Sequence, residues 1–515
     1  MPVELGPDGF ITVHELADLT ITDLHVNAPS HDASQMIIEP TGRVTINGQI
    51  QNQDQENDLN ILIKGNGNDF GSIIHTEASI RASIRVDRNI ASQWEMLSMP
   101  LQDLTISQDV IQGMVYSWSE PLQGWTNLNG QINVNTETDQ SYSPDGFTPG
   151  LGYLQQLSKS DGNRLPEKYT GKLVSGPVHL HLSKKATSQP LSGYNLLGNP
   201  YASSIDWKSS AGWSGREQLD GGMDQGVSVW VWNPHTGNYG AYNNASSSNL
   251  GTNQVSRYIA PMQAFWVEAA TDGAEIIINN KAKVHSDQKT LKHMKNQESS
   301  VISLLVSNHT NVYSDEVILE FGNHVHHSTK KMFSMLEEAP SLYVNNQREP
   351  MSIYSMDAPQ TTAFIPIGFE AGISALHTIT VSGFSNIEGN IYLMDNLTGH
   401  RHDLKKNESY HFMGNPWDEA DRFMLQFGED ISTSVNEASN EKADVYYYAH
   451  SLHITNPWSS DATIWVYNTS GAAVTAFDVP ALSTHQQPFS ERPGVYIVRV
   501  SGQGSEDVTK RVAIL

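Results

Sequence analysis

Ile11-Thr12-Val13, Met36-Ile37-Ile38 and Ile61-Leu62-Ile63 are three short apolar runs that begin 25 residues apart. A second run follows each: Leu19-Thr20-Ile21, Val44-Thr45-Ile46 and Ser72-Ile73-Ile74. Turn formers separate them, among them Pro40-Thr41-Gly42 and Gly65-Asn66-Gly67-Asn68. Such a period fits a solenoid, in which one coil cannot bury its own apolar face and neighbours must stack. Residues 1–90 are therefore expected to be the end segment of a β-solenoid, with earlier coils upstream of Met1. Three unrelated hairpins would leave similar runs, so both arrangements stay open at this point.

Outward from these runs the chain keeps a strand-and-turn grammar. Tyr194-Asn195-Leu196-Leu197-Gly198 runs into Asn199-Pro200, and Val227-Ser228-Val229-Trp230-Val231-Trp232 is closed by Asn233-Pro234. Ala264–Glu268 and Ala274–Ile278 read as further strands. Regular strand spacing without a sustained helical period predicts a β-sandwich over residues 91–290. A second β-sandwich is expected over 291–427, from Val301–Val306, Glu316–Phe321, Thr378–Val381 and Phe423–Phe427. One short helix is expected at Lys331–Glu338, with Met332, Phe333, Met335 and Leu336 on one face and Pro340 as its stop. Residues 428–442 are polar and aperiodic and read as an exposed linker. The fold class is thus all-β, with a final small unit at 443–515.

Composition narrows the function. The 515 residues include no cysteine, which removes disulfides, thiolate nucleophiles and cysteine-ligated metals. A net charge of -25 repels phosphate backbones, so no nucleic-acid partner is expected. No apolar stretch approaches the roughly 18 residues that a membrane-spanning helix needs. The N-terminus shows neither a basic start nor an apolar core, so no export signal is legible there.

In the last unit, Thr463–Tyr467 is a strand, and Asn468-Thr469-Ser470-Gly471 has the residue pattern of a type I turn. Val474–Val479 returns. Pro493-Gly494 then leads into Val495–Val500, and Val508–Leu515 pairs back. Pro493-Gly494-Val495-Tyr496-Ile497-Val498 followed by Thr509-Lys510-Arg511-Val512-Ala513-Ile514 resembles the C-terminal sorting domain of type IX secretion cargo in Bacteroidota. The Asn468–Gly471 turn and the opening Leu452–Asn456 fit the same family. Upstream, Trp94–Pro100, Leu196–Tyr201, Ile259–Phe265, Ile365–Phe369, Leu397-Thr398-Gly399 and Asp421-Arg422-Phe423 resemble, in order, segments of large surface proteins from the same bacteria.

That resemblance implies an immunoglobulin-like sandwich at 443–515 and a secreted, cell-surface protein. The implied partners are the type IX translocon, an outer-membrane shuttle barrel and a sortase that cuts within 428–442, with attachment to surface lipopolysaccharide afterwards. The sorting signal would be carried by Asn468, Gly471, Pro493, Gly494, Tyr496, Val498, Lys510 and Arg511. Alternation places Tyr496 and Val498 on one face and Ile497 on the other. Lys510 and Arg511 could meet an acidic receptor, although an edge-strand charge and a core tyrosine are the plainer readings.

Chemistry-bearing clusters are sparse. His324-Val325-His326-His327 places alternate histidines on one side of a strand, the best metal pattern present, without a third ligand at an obvious spacing. His400-Arg401-His402-Asp403 is weaker. Asp220-Gly221-Gly222-Met223-Asp224 offers oxygens for a structural calcium ion but lacks the spacing of an EF-hand loop. No cofactor is expected, and no nucleophile elbow, zinc-protease motif or phosphate loop is present. Trp125, Trp230 and Trp232 could stack on a glycan, though tryptophans are more often buried. The leading expectation is a non-enzymatic stalk or adhesin-like region with an export domain. A carbohydrate-binding module and a hydrolase with an unrecognised site are the alternatives.

Overall fold

A computed structural model describes residues 3–5, 10–26, 36–52, 61–66, 69–76, 81–86, 94–102, 114–128, 147–156, 167–185, 189–286, 300–322, 327–346, 349–357, 363–382, 387, 389–428, 443–448, 451–468, 471–489, 491–492, 494–502 and 507–514. The chain forms two compact units. One comprises Met1–Val301, Asp315–Leu336 and Met351–Asp357; the other comprises Ile302–Ser314, Glu337–Pro350 and Ala358–Leu515. Among the described residues the regular elements are almost all strands; the exceptions are the short helix Gly222–Gln225 and the 3-10 turns Arg216–Gln218 and Asn280–Ala282.

The first unit begins with a β-solenoid. Ile11–Val13, Met36–Ile38, Ile61–Gly65 and Arg81–Val86 stack in parallel, with Ile11 opposite Met36, Met36 opposite Ile61 and Ile61 opposite Ala82. Asp18–Ile21, Arg43–Ile46 and Ser72–His75 form a second parallel ladder. A third, which the sequence reading did not contain, joins Val3–Leu5, Leu24–Val26 and Ile50–Asn52. The two-residue alternation of each run puts Met36, Ile38, Ile61, Ile63, Val44 and Ile46 into one core. Each such side chain contributes roughly 1.5–3 kcal/mol by burial. Polar rungs repeat with the coil: Arg43 pairs with Asp18 at 3.5 Å and Lys64 with Glu39 at 2.8 Å.

The solenoid ends where strand direction changes. Arg81–Val86 runs parallel to Ile61–Gly65 on one side and antiparallel to Glu167–Leu173 on the other. The second ladder is met by the Lys283–His285 segment and, along its edge strand, by Ala202, whose carbonyl accepts the Ile73 amide at 2.8 Å. Lys283 Nζ donates to the His75 carbonyl at 3.0 Å, and the two ring nitrogens of His285 bond Thr45 at 2.9 Å and Ser72 at 2.8 Å. An edge of this kind would otherwise offer unpaired backbone to other chains.

The sandwich that follows is centred on the sheet Tyr194–Gly198, Ala264–Glu268, Ser228–Asn233, Asn238–Asn243. Both of its faces are buried. Val229, Val231, Phe265 and Val267 enter one core with Trp207, Trp213 and Ile276. Trp230, Trp232, Trp266 and Leu196 enter the other. The sheet Trp94–Leu97, Tyr153–Gln156, Met114–Ser119, Gly124–Asn127 supplies Met96, Leu154, Trp118 and Trp125 to that second core.

Residues 331–338 are not helical. Lys331 is buried and bonds Asp315 at 2.5 Å, Ser334 Oγ donates to the Gly237 carbonyl, and the Leu336 amide donates to Ser334 Oγ at 2.9 Å. Met332, Met335 and Leu336 do pack against the tryptophan core, while Phe333 is exposed. The apolar spacing therefore marks buried positions on irregular backbone. Helical bonding would withdraw the segment from these side-chain partners.

In the second unit, Ser300–Asn308 pairs with Ala375–Ser382, which pairs with Ser409–Gly414. Ala363–Glu370 pairs with Ser341–Asn346 and Phe423–Phe427. Phe369, His377, Phe412 and Phe423 interlock edge-on or stacked, with ring centroids 4.8–5.8 Å apart. Residues 443–514 carry their own core, built from Leu452, Ile454, Ile464, Val466, Tyr496, Val498 and Val500. They form a three-stranded sheet (Asp444–Tyr448, Ser451–Asn456, Ser483–Pro488) and a four-stranded one (Ala473–Val479, Ala462–Asn468, Gly494–Gly502, Val508–Ile514). This is an immunoglobulin-like sandwich.

Candidate recognition face of the C-terminal domain

The residues expected to carry a sorting signal mostly build this sandwich from within. Asn468 and Gly471 close the hairpin between Ala462–Asn468 and Ala473–Val479: the Gly471 amide donates to the Asn468 carbonyl at 3.0 Å, and Asn468 Oδ1 accepts the Ala472 amide at 3.0 Å. Gly471 has a φ of 83°, a conformation in which a side chain would be strained. Tyr496 and Val498 are buried, and the Tyr496 hydroxyl donates to the Arg492 carbonyl at 2.9 Å. That bond, from an inward tyrosine to backbone four residues earlier, is the tyrosine corner of immunoglobulin-like folds. Lys510 lies opposite Val498, on the core side of its strand, whereas Arg511 is paired with Ile497. Gly494 starts the strand; Pro493 lies outside the described residues.

What the domain shows outward is a different set. On Ala462–Asn468, Ala462, Ile464 and Val466 point in, so Thr463, Trp465 and Tyr467 point out. Trp465 is 41% exposed, and its ring lies 6.5 Å from that of Tyr467 with planes 17° apart. Trp465 pairs across the sheet with Arg499, and Tyr467 with Ile497. Arg499 donates from Nε to Asp507 at 3.0 Å, and Thr463 bonds Asp478 at 2.8 Å. The result is an aromatic stripe on the outer face of the four-stranded sheet, with a polar rim. The alternation in Thr463-Ile464-Trp465-Val466-Tyr467 already encodes it, because both aromatics share the parity opposite to the aliphatic residues.

The other sequence candidates take other places. Trp230 and Trp232 are each 3% exposed, and their indole N–H groups donate to the Lys330 carbonyl at 2.8 Å and the Trp94 carbonyl at 3.0 Å. No ring face is left for a sugar. Trp125 is half-buried, edge-on to Trp118 at 5.4 Å and Trp266 at 6.0 Å. His324 and His326 lie outside the described residues, as do 429–442. Asp220 does not stand alone: Lys330 pairs with it at 3.0 Å and with Glu268 at 2.9 Å. Among the described residues no three metal-ligating side chains converge.

His327 is buried against Glu320. Glu320 Oε2 accepts His327 Nε2 at 2.9 Å and Ser246 Oγ at 3.1 Å; Oε1 accepts Ser247 Oγ at 2.5 Å and the amides of Ser247 and Ser248 at 3.0 and 2.9 Å. Burial alone would raise this carboxyl, but the bonds from His327 and Ser247 outweigh it and hold it at about 2. The serine and the histidine both donate to the carboxylate, which therefore fixes the loop 246–248. In the second unit, the buried Arg422 is bidentate to Asp395 at 3.0 and 2.8 Å and reaches Asp418 at 3.2 Å.

These features define an all-β protein in which a solenoid, sandwich sheets and an immunoglobulin-like domain follow one another along the chain. It belongs to the family of the domain of unknown function DUF8693, whose model matches residues 11–427. No curated protein matches the sequence. Among solved structures, the chain is similar to Dpr11 IG1 bound to DIP-gamma IG+IG2, at 10% identity over 28% of this chain and 90% of that one, with a TM-score of 0.09. It is also similar to Tp47, the 47-kilodalton lipoprotein of Treponema pallidum, at 8% identity over 66% of this chain and 100% of that one, with a TM-score of 0.12. Neither likeness carries a structural argument.

Proposed function

We propose that this protein is a non-enzymatic, cell-surface scaffold, exported across the outer membrane by a type IX secretion system that reads its C-terminal domain. The carrying observation is that residues 443–514 have a core of their own. The family match ends at Phe427, before that domain begins. The motif that resembles a sorting signal falls on the framework of this sandwich: a hairpin turn at Asn468–Gly471 and a tyrosine corner at Tyr496. In this reading the motif specifies the fold, and the stripe of Trp465, Tyr467, Ile497 and Arg499 is what the export machinery touches. An exposed aromatic stripe with a polar rim suits a protein contact. Cleavage would fall within 428–442.

The test is a fusion of residues 428–515 to a periplasmic reporter in a type IX-competent host. The reporter should reach the cell surface or medium, and should stay in the periplasm when the translocon is deleted. A reporter that remains periplasmic in the competent host removes the sorting assignment. Trp465→Ser in the same fusion should reduce export while leaving the domain folded; unchanged export would remove the stripe as the recognition face.

A further inference from the structure

Trp417 is 77% exposed, more than any other tryptophan among the described residues. It occupies the third position of the turn Asn415-Pro416-Trp417-Asp418, which the Asp418 amide closes by donating to the Asn415 carbonyl at 3.0 Å. Asp418 locks that turn, accepting the Asn415 amide at 2.9 Å and Asn415 Nδ2 at 3.3 Å. Beneath it, Arg422 Nη1 bonds Asp418 at 3.2 Å and the Met413 carbonyl at 2.6 Å.

The same guanidinium holds a second turn. Its other nitrogens grip Asp395, whose Oδ1 accepts the Leu397 amide at 3.0 Å. Asn396 returns its amide to the Arg422 carbonyl at 2.8 Å and its Nδ2 to the Asp421 carbonyl at 3.1 Å. Leu397, at the tip, is 62% exposed. Two turns with exposed apolar tips are therefore fixed to one buried arginine. A backbone ordered in advance lowers the entropy lost when an aromatic tip engages a ligand.

The chemistry around the tips selects the ligand. Asn396, Glu419 and Asp421 are exposed and offer oxygen acceptors, and neither turn carries an exposed lysine or arginine. Anionic ligands are repelled. A protein partner usually needs a broader apolar centre than one indole and one leucine. A neutral sugar fits: its C–H face stacks on an indole, and its hydroxyls donate to carboxylate and amide oxygens. We infer that the paired turns at Asp395–Gly399 and Asn415–Asp418 form a binding site for a neutral saccharide, with Trp417 as the stacking platform and Asn396, Glu419 and Asp421 as hydroxyl acceptors. This site is independent of the export reading.

Native affinity electrophoresis of the full chain tests it, in gels containing laminarin, xylan or mannan as neutral probes and alginate as the anionic one. The intact protein should be retarded by at least one neutral polysaccharide and not by alginate. Trp417→Ala should weaken that retardation roughly tenfold or more; Trp417→Phe should restore part of it, and Trp465→Ala should leave it unchanged. The melting temperature of Trp417→Ala should match that of the intact chain. No retardation by any neutral probe, or equal retardation of Trp417→Ala, overturns the site. A change in sedimentation of Trp417→Ala with unaltered retardation assigns the indole to a protein contact and overturns it as well.

Discussion

Asn199 and Asn456, far apart in the chain, each build a corner of the same kind. Asn199 Nδ2 donates to the carbonyls of Ser203, Ile259 and Ala260 at 2.8, 3.1 and 2.9 Å, and its Oδ1 accepts the Tyr201 amide at 3.0 Å. Asn456 Nδ2 donates to Ser460, Val479 and Pro480 at 2.9, 3.1 and 2.9 Å, and its Oδ1 accepts the Trp458 amide at 3.1 Å. Each asparagine precedes a proline and an aromatic residue, and each is buried. The side chain accepts from the amide two residues on and donates to the carbonyl four residues on. It also bridges to two consecutive carbonyls of a distant segment. The two N–H bonds of each buried amide are shared among three carbonyls, and the arrangement fixes where a strand leaves its sheet.

Asn199→Asp and Asn456→Asp separate the donor from the acceptor role. An aspartate keeps the Oδ1 contact but presents oxygens to three carbonyls. Each variant should lose about 2–4 kcal/mol of stability, read by urea unfolding followed by tryptophan fluorescence. A loss under about 0.5 kcal/mol would show that the corner is held by the chain around it.

Arg422→Met removes the group that joins Asp395 to Asp418. The buried Asp395 keeps Tyr410 at 3.0 Å but loses its cation. A cost of about 3–5 kcal/mol is expected, with faster proteolysis of the turns at 395–399 and 415–418. Arg422→Lys should recover little, since a lysine cannot repeat the bidentate fork.

Glu320 makes stability pH-dependent in a defined direction. Its carboxyl ionises at about 2 when folded, against 4.5 for the free group. Between those values the unfolded chain takes up a proton that the folded chain does not. The contribution is therefore complete above pH 4.5 and is lost as pH falls towards 2, to a total of about 3 kcal/mol. Unfolding of the intact protein and of Glu320→Gln at pH 7, 4 and 3 should give curves that converge on acidification. Parallel curves would show that another group governs the acid limb.

Gly42 tests the coil spacing. A Cβ there would stand 2.8 Å from the Val13 carbonyl and 3.1 Å from that of His14, both in the preceding coil. Gly71, one coil later, meets the Ile38 carbonyl at 2.7 Å. Because the obstacle is backbone, Gly42→Ala should cost about 1–3 kcal/mol. A neutral effect in thermal melting would mean that the coils can separate at this corner.

Tyr496→Phe and Trp465→Ser divide frame from face. The first deletes the bond to the Arg492 carbonyl and should cost about 1–2 kcal/mol. The second removes an outward ring and should stay within about 0.5 kcal/mol. The reverse order, in chemical denaturation of the full chain, would place Trp465 in the frame.

The sequence by itself determined the strands, the 25-residue period, the hairpin at Asn468–Gly471 and the inward parity of Tyr496 and Val498. Those are properties of neighbouring residues: alternation, turn chemistry and β-branching act within a few positions. Only the tertiary structure decided which apolar faces meet. For Trp230 and Trp232 the sequence favoured core over platform only from the general burial of tryptophan, because alternation gives a face but not what covers it; a sheet buried on both sides covers it here. Lys331–Glu338 carried helical spacing, yet Asp315 and Gly237 claim its side chains. Glu320 reaches serines 72–74 positions away. Partners at such separations leave no local trace. The one tryptophan left largely uncovered, Trp417, emerges only once every other surface has been packed.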